Sequence, residues 1–181
     1  MEGLKNTWGG RFIIAAIVQG AIITFLALSM VGIQVIFAKN VNMIQFLSLS
    51  FEGPAKWFFI GLMLYLILTV AIAVSAVFYN HLEINLRKKI SGKIRFLVWI
   101  HLFGMNIGGI GTTLSMIFAG LAGSGALSLV TEGQIGQQNL AVMDTFIPPI
   151  ASFIGILAIG VLCGGLGYMV VYIKKSYTVS E

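Results

Sequence analysis

Four long apolar stretches, residues 12–38, 57–80, 94–122 and 147–173, contain between them a single formally charged side chain, Arg95, at the edge of the third. A helix that is apolar on every side has no face to offer water. About 20 apolar residues cross a 30 Å hydrocarbon core, and these stretches, of about 24–29 residues each, are long enough to cross with some tilt. The chain is therefore expected to be an all-α integral membrane protein: one domain over 1–181 with four transmembrane helices. Composition leaves little room for anything else. Charged residues make up 9% of the chain, against about 25% in a soluble domain. The first stretch is about twice the length of a signal-peptide core and lacks a small-residue cleavage site, so it reads as a retained span.

Between the second and third stretches lies Leu86-Arg87-Lys88-Lys89-Ile90-Ser91-Gly92-Lys93-Ile94-Arg95, which holds five of the eleven Lys and Arg residues. Clustered cations stay on the cytoplasmic side of a bilayer. With this loop inside, four spans put both termini inside as well. Nine cations (Lys5, Arg11, Arg87, Lys88, Lys89, Lys93, Arg95, Lys174 and Lys175) then face the cytoplasm, and Lys39 and Lys56 face outward. An odd number of spans would spoil that division. The expected location is the cell membrane, multi-pass. The net charge of +5 is accounted for by topology and does not point to nucleic acid. Residues 41–51 are too short to span and read as an interfacial segment before Glu52-Gly53-Pro54 and the anchor Trp57. Residues 123–142 are rich in Gly, Ser and Gln and form the expected outer loop, resting on a partner or on 41–51. Asp144-Thr145 before Pro148-Pro149 reads as the cap and first turn of the fourth helix.

Little in the spans carries chemistry. None of the six acids falls in mid-span, where an ion-coupled carrier needs one. The single cysteine, Cys163, cannot pair internally. No metal set is evident. A heme would have to use His101 in the third span and His81 at the end of the second, and would need both imidazoles to face one pocket. The blander expectation has His81 at the interface and His101 bonded to a neighbouring helix, with no cofactor. Gly104, Gly108 and Gly111 share one helical face, and Gly160 with Gly164 forms a second small-residue pair. Such faces let helices approach closely, and Asn106, Thr112 and Thr113 add hydrogen-bonding groups. Asn106 points away from the glycine strip, so the third span should meet neighbours on two sides, one of them in another subunit.

The pattern resembles subunit I of heme-copper terminal oxidases, especially the divergent B-type, in two possible placements. Leu82-Glu83-Ile84-Asn85-Leu86 followed by Phe96-Leu97-Val98-Trp99-Ile100-His101 is similar to the join between that family's second and third helices. Alternatively, residues 97–108 with Ala119-Gly120-Leu121-Ala122-Gly123 look like its penultimate helix. Either placement covers part of a full subunit. Phe59-Ile60-Gly61-Leu62-Met63-Leu64 has the family's glycine without its heme-ligating histidine, and the copper histidines have no counterparts. The resemblance therefore implies a non-catalytic accessory subunit of a respiratory or other redox complex, partnered by other integral membrane subunits and by lipid. A small channel or carrier subunit, motivated by the polar third span, and a small b-type cytochrome using His101 are the alternatives.

The topology has a direct test. With Cys163 replaced by alanine, cysteines introduced at Ser91 and Ser128 should react with an impermeant label from opposite sides of the membrane. Reaction from one side only would overturn the four-span orientation.

Overall fold

A computed structural model describes residues 7–37, 42, 45–47, 53–132 and 134–174. Lys5, Lys39, Glu52, Lys175 and most of the 41–51 segment lie outside these residues. All the regular structure described is helical: α1 (Trp8–Phe37), α2 (Ala55–Asn80), α3 (Lys93–Phe103), α4 (Gly109–Gly123), α5 (Ser128–Glu132), α6 (Leu140–Asp144) and α7 (Ile147–Ile173). Two π turns interrupt the helical path, His81–Asn85 after α2 and Gly104–Gly108 between α3 and α4. Four stretches are long and apolar enough to cross a membrane: Trp8–Ile36, Ala55–Asn85, Lys93–Gly123 and Leu140–Ile173. The chain is a multi-pass membrane protein.

The third span, Lys93–Gly123, is the axis of the bundle, with half of its apolar window buried. α2 runs along α4; α1 runs along α2; α7 runs along α3, the Gly104–Gly108 turn and α4. Glycines on two faces of the third span make this possible. Toward α2, a Cβ at Gly120 would lie 2.7 Å from Phe58 Cα, and one at Gly61 of α2 would lie 2.9 Å from Thr113 O. Toward α7, a Cβ at Gly104 would lie 2.6 Å from Gly160 Cα, and one at Gly108 would lie 2.8 Å from Leu157 Cα. Gly111 closes the row, seated on the ring of Phe153. Because lipid tails are as apolar as leucine, backbone approach of this kind, and not leucine burial, holds helices together. The large buried side chains Phe12, Tyr65, Ile72, Tyr79, Val98 and Ile117 fill the space between α1, α2 and the third span.

The ends of the spans follow from local chemistry. α1 starts one turn before the expected boundary because Glu83 caps it: Oε2 accepts the amides of Trp8 at 2.7 Å and Gly9 at 3.2 Å. The chain leaves α2 through the His81–Asn85 π turn, where the Leu86 amide reaches back to the His81 carbonyl. Arg87 and Gly92 then take positive φ (48° and 59°), and α3 begins at Lys93. Leu82 and Ile90 anchor this loop in the core.

At the end away from the basic loop, the described residues of 123–142 fold on their own chain. Ala126 and Leu129 join the apolar core that also takes in Leu47 of the 41–51 segment. Gly125, at φ 75°, accepts the Gly136 amide at 3.0 Å. The expected Asp144 cap is not made. Asp144 is the last residue of α6, and that helix is capped by Asn139, whose side chain accepts the Val142 amide at 3.2 Å. Asp144 is thus taken up by the short helix, and Phe146 stands at the N-cap position of α7, while Pro148 and Pro149 occupy its first turn as expected.

Candidate functional site

Three amide and phenol groups meet in the middle of the spans. Gln19 of α1 and Tyr65 of α2 are almost fully buried, and Asn106 lies on the π turn of the third span. The Tyr65 hydroxyl donates to Gln19 Oε1 at 2.8 Å. Gln19 Nε2 donates to Asn106 Oδ1 at 2.8 Å. Asn106 Nδ2 donates to the Leu102 carbonyl at 2.7 Å, four residues back on its own span. The result is a chain of three hydrogen bonds across three spans. Each group needs its partner, because hydrocarbon offers no water to replace one.

Asn106, half-buried, therefore has a second neighbour within the chain, Gln19 of α1. Helical periodicity shows that Asn106 turns away from Gly104 and Gly108; it does not show which span covers it. Gln19 and Tyr65 are the residues that sequence reasoning missed. An amide inside an otherwise apolar run was the available signal, since such a group requires a hydrogen-bonding partner at its own depth. The hydroxyls of the third span are not part of this layer. Thr112 donates to the Gly108 carbonyl at 2.8 Å and Thr113 to the Gly109 carbonyl at 2.9 Å, each within its own helix.

A second buried group lies nearer the basic end. His101 Nδ1 is 2.9 Å from the Tyr79 hydroxyl. Phe12 stacks on Tyr79 with ring centroids 4.9 Å apart and lies 5.0 Å from the imidazole. Gly164 of α7 provides the seat: a Cβ there would come within 2.6 Å of His101 Cδ2. The second small-residue pair thus divides its work, Gly160 meeting Gly104 and Gly164 meeting His101. The remaining edge of this cluster lines a groove of about 310 Å³ between α2 and α7, with Ser75, Phe78, Tyr168 and Met169.

His81 is not brought to the same place. It belongs to the π turn after α2, pairs with Asn85 Nδ2 at 3.1 Å and lines an adjoining groove that shares Phe78 and Tyr168 with the first. The π turn carries it past the end of α2, beyond the layer where His101 is held. Among the described residues, no group of three or more His, Cys, Asp and Glu side chains is placed to hold a metal ion. Of the loop cations, Arg87, Lys88, Lys89 and Arg95 surround a pocket at the basic end of the bundle. Lys93 opens α3 and is exposed. No protein-family model, curated protein or solved structure matches the chain.

The polar layer predicts unequal mutational costs. Gln19→Leu leaves both the Tyr65 hydroxyl and Asn106 Oδ1 without a partner, and should destabilise the folded state in mixed micelles by about 1–3 kcal/mol, two intramembrane hydrogen bonds' worth. Adding Tyr65→Phe and Asn106→Leu to the same chain removes the orphaned groups and should recover part of that loss. A triple variant weaker than Gln19→Leu alone would mean that the layer is not a closed hydrogen-bonded unit.

Proposed function

We propose that this chain is a non-catalytic, structural subunit of a membrane-bound redox complex, of the heme-copper oxidase-like kind that its sequence resembles. The observation that carries the reading is the lopsided use of α7. Inside the chain this 27-residue helix buries only Gly160, Gly164, Gly167 and Val171. Among the described residues, a Cβ at Gly155 or Gly165 would have open space around it. At 100° per residue, Gly155 lies about 140° from Gly160, on the back of the helix, while Gly165 borders the groove that His101 lines. A membrane helix with small residues on two opposite sides is suited to pack between two neighbours, and this chain supplies one of them. The other neighbour, on this reading, is a second subunit. The basic end of the bundle faces the cytoplasm.

The mid-membrane layer speaks against a carrier or channel. Its groups saturate one another, Tyr65 is fully enclosed and Gln19 nearly so, and the third-span hydroxyls bond their own backbone. A permeation path needs such groups turned toward a cavity. The reading as a small b-type cytochrome keeps one observation in its favour, the groove that His101 lines. A visible spectrum of the purified chain separates it from the structural reading through the presence or absence of a Soret band.

Extraction of the native membrane in mild detergent tests the proposal. The chain should migrate with a larger redox complex, and Gly155→Leu should release it while leaving its own helical content and unfolding unchanged. A wild-type chain recovered free of other membrane subunits would refute the structural-subunit reading.

A further inference from the structure

At the basic end of the bundle, the start of α1, the loop after α2 and the start of α3 enclose a pocket of about 470 Å³. Five cations line it, Arg11, Arg87, Lys88, Lys89 and Arg95, against the one carboxylate of Glu83. That carboxylate already accepts two amides at the start of α1. Lys88 is also committed, since its ammonium donates to the Tyr172 carbonyl at the end of α7 and lies 5.4 Å from the Tyr172 ring. Among the described residues, Glu83, whose charge also faces Arg11, is the one carboxylate lining the pocket.

Two features separate this pocket from an ordinary solvated basic loop. Arg11 is fixed in place, its guanidinium 4.4 Å from the Trp8 ring and 5.0 Å from the Trp99 ring, with the two indoles edge-to-face at 5.1 Å. Its Nη1 is nonetheless buried with no hydrogen-bond acceptor among the described residues. An unpaired buried donor is costly, and more so on a charged group. Arg87, which also lines the pocket, is held at φ 48°, a left-handed conformation uncommon for a residue with a side chain. Backbone strain and an unfilled guanidinium donor at one cation-lined cavity point to a ligand that the protein is shaped to receive.

We propose that this pocket binds a phosphate group, with the headgroup of an anionic phospholipid as the source that its position favours. Guanidinium groups match phosphate oxygens in paired hydrogen bonds, and phosphate carries enough charge to answer several cations at once. The pocket lies at the ends of the spans, beside two tryptophans of the kind that settle at headgroup depth. Basic pockets between spans on that side of a membrane are suited to anionic headgroups. Soluble phosphate shares the chemistry, and the experiment distinguishes the two.

The full-length chain is placed in phosphatidylcholine nanodiscs containing a minor fraction of phosphatidylglycerol, and the lipid it retains on release is read by native mass spectrometry. Phosphatidylglycerol should be enriched over phosphatidylcholine. Arg11→Gln and Arg95→Gln should each lower the enrichment about fivefold, the effect of one surface cation on anionic lipid. Arg95 is exposed, so its variant carries the test if Arg11→Gln does not fold. Lys174→Gln, which removes a cation outside the pocket, should leave enrichment unchanged. Inorganic phosphate titrated into pure phosphatidylcholine discs, read by the fluorescence of the flanking tryptophans, covers the soluble source. A saturable response abolished by Arg95→Gln would support the pocket with free phosphate as its ligand. Absence of both enrichment and phosphate response would overturn the proposal. So would equal losses in Arg95→Gln and Lys174→Gln, which would reduce the effect to general surface charge.

Discussion

Backbone-to-backbone approach at the glycines of the third span is the interaction on which the rest of this structure depends. In a bilayer the usual drive for packing is missing, because an exposed leucine is already in hydrocarbon. What remains is close van der Waals contact and hydrogen bonding between helices. Gly104 and Gly108 let α7 reach the third span on one side. Gly61 and Gly120 let α2 reach it on the other. A methyl group at any of these four positions would press on a main-chain atom, which cannot swing aside as a side chain can. Tyr65, Tyr79, His101 and Phe12 fill the gaps that such close contacts leave around them.

The polar layer has a different role. Glycine faces tolerate sliding along the helix axis, since one small residue resembles another. The Tyr65–Gln19–Asn106 chain does not, because its donors and acceptors must meet at one depth. It fixes the register of α1 and α2 on the third span. The pairing of His101 with Tyr79, beneath Gly164, repeats the same logic nearer the basic end. The Glu83 cap on α1 completes it at the boundary. A core held at fixed depth by these bonds, with a largely unused α7 surface, is the basis of the structural-subunit proposal.

The four spans were legible in the sequence because charge is nearly absent over each of them, and charge is what a bilayer core refuses. The glycine row of Gly104, Gly108 and Gly111 was legible from its spacing, as was the second pair, Gly160 and Gly164; that Gly160 meets Gly104 while Gly164 meets His101 was not. The second glycine face was not. Gly61, Gly109 and Gly120 show no motif in one segment; their meaning lies in which helix comes to meet them. The π turns were equally hidden, since an extra residue in a helical turn leaves no mark in an apolar run. Gln19 could be seen as polar but not as the partner of Asn106, 87 positions away. Glu83 looked like part of a helix end, and its bond to Trp8, 75 positions away, depends on α1 returning to the basic side. The loop cations were read as a topology signal. Only the placement of Arg11 between Trp8 and Trp99 turns them into the wall of a pocket.

The most direct test of the glycine account is a double-mutant cycle on Gly104→Ala and Gly160→Ala, read by reversible unfolding in mixed micelles. The two Cα positions face each other, so either methyl alone forces the third span and α7 apart. Each single variant should lose about 1–3 kcal/mol, the cost of overpacking. Once one methyl has separated the helices, the second adds little, so the double variant should fall short of the sum by about 0.5 kcal/mol or more. Strictly additive losses, or single variants as stable as the wild type, would contradict the claim that backbone contact at these glycines holds the bundle together.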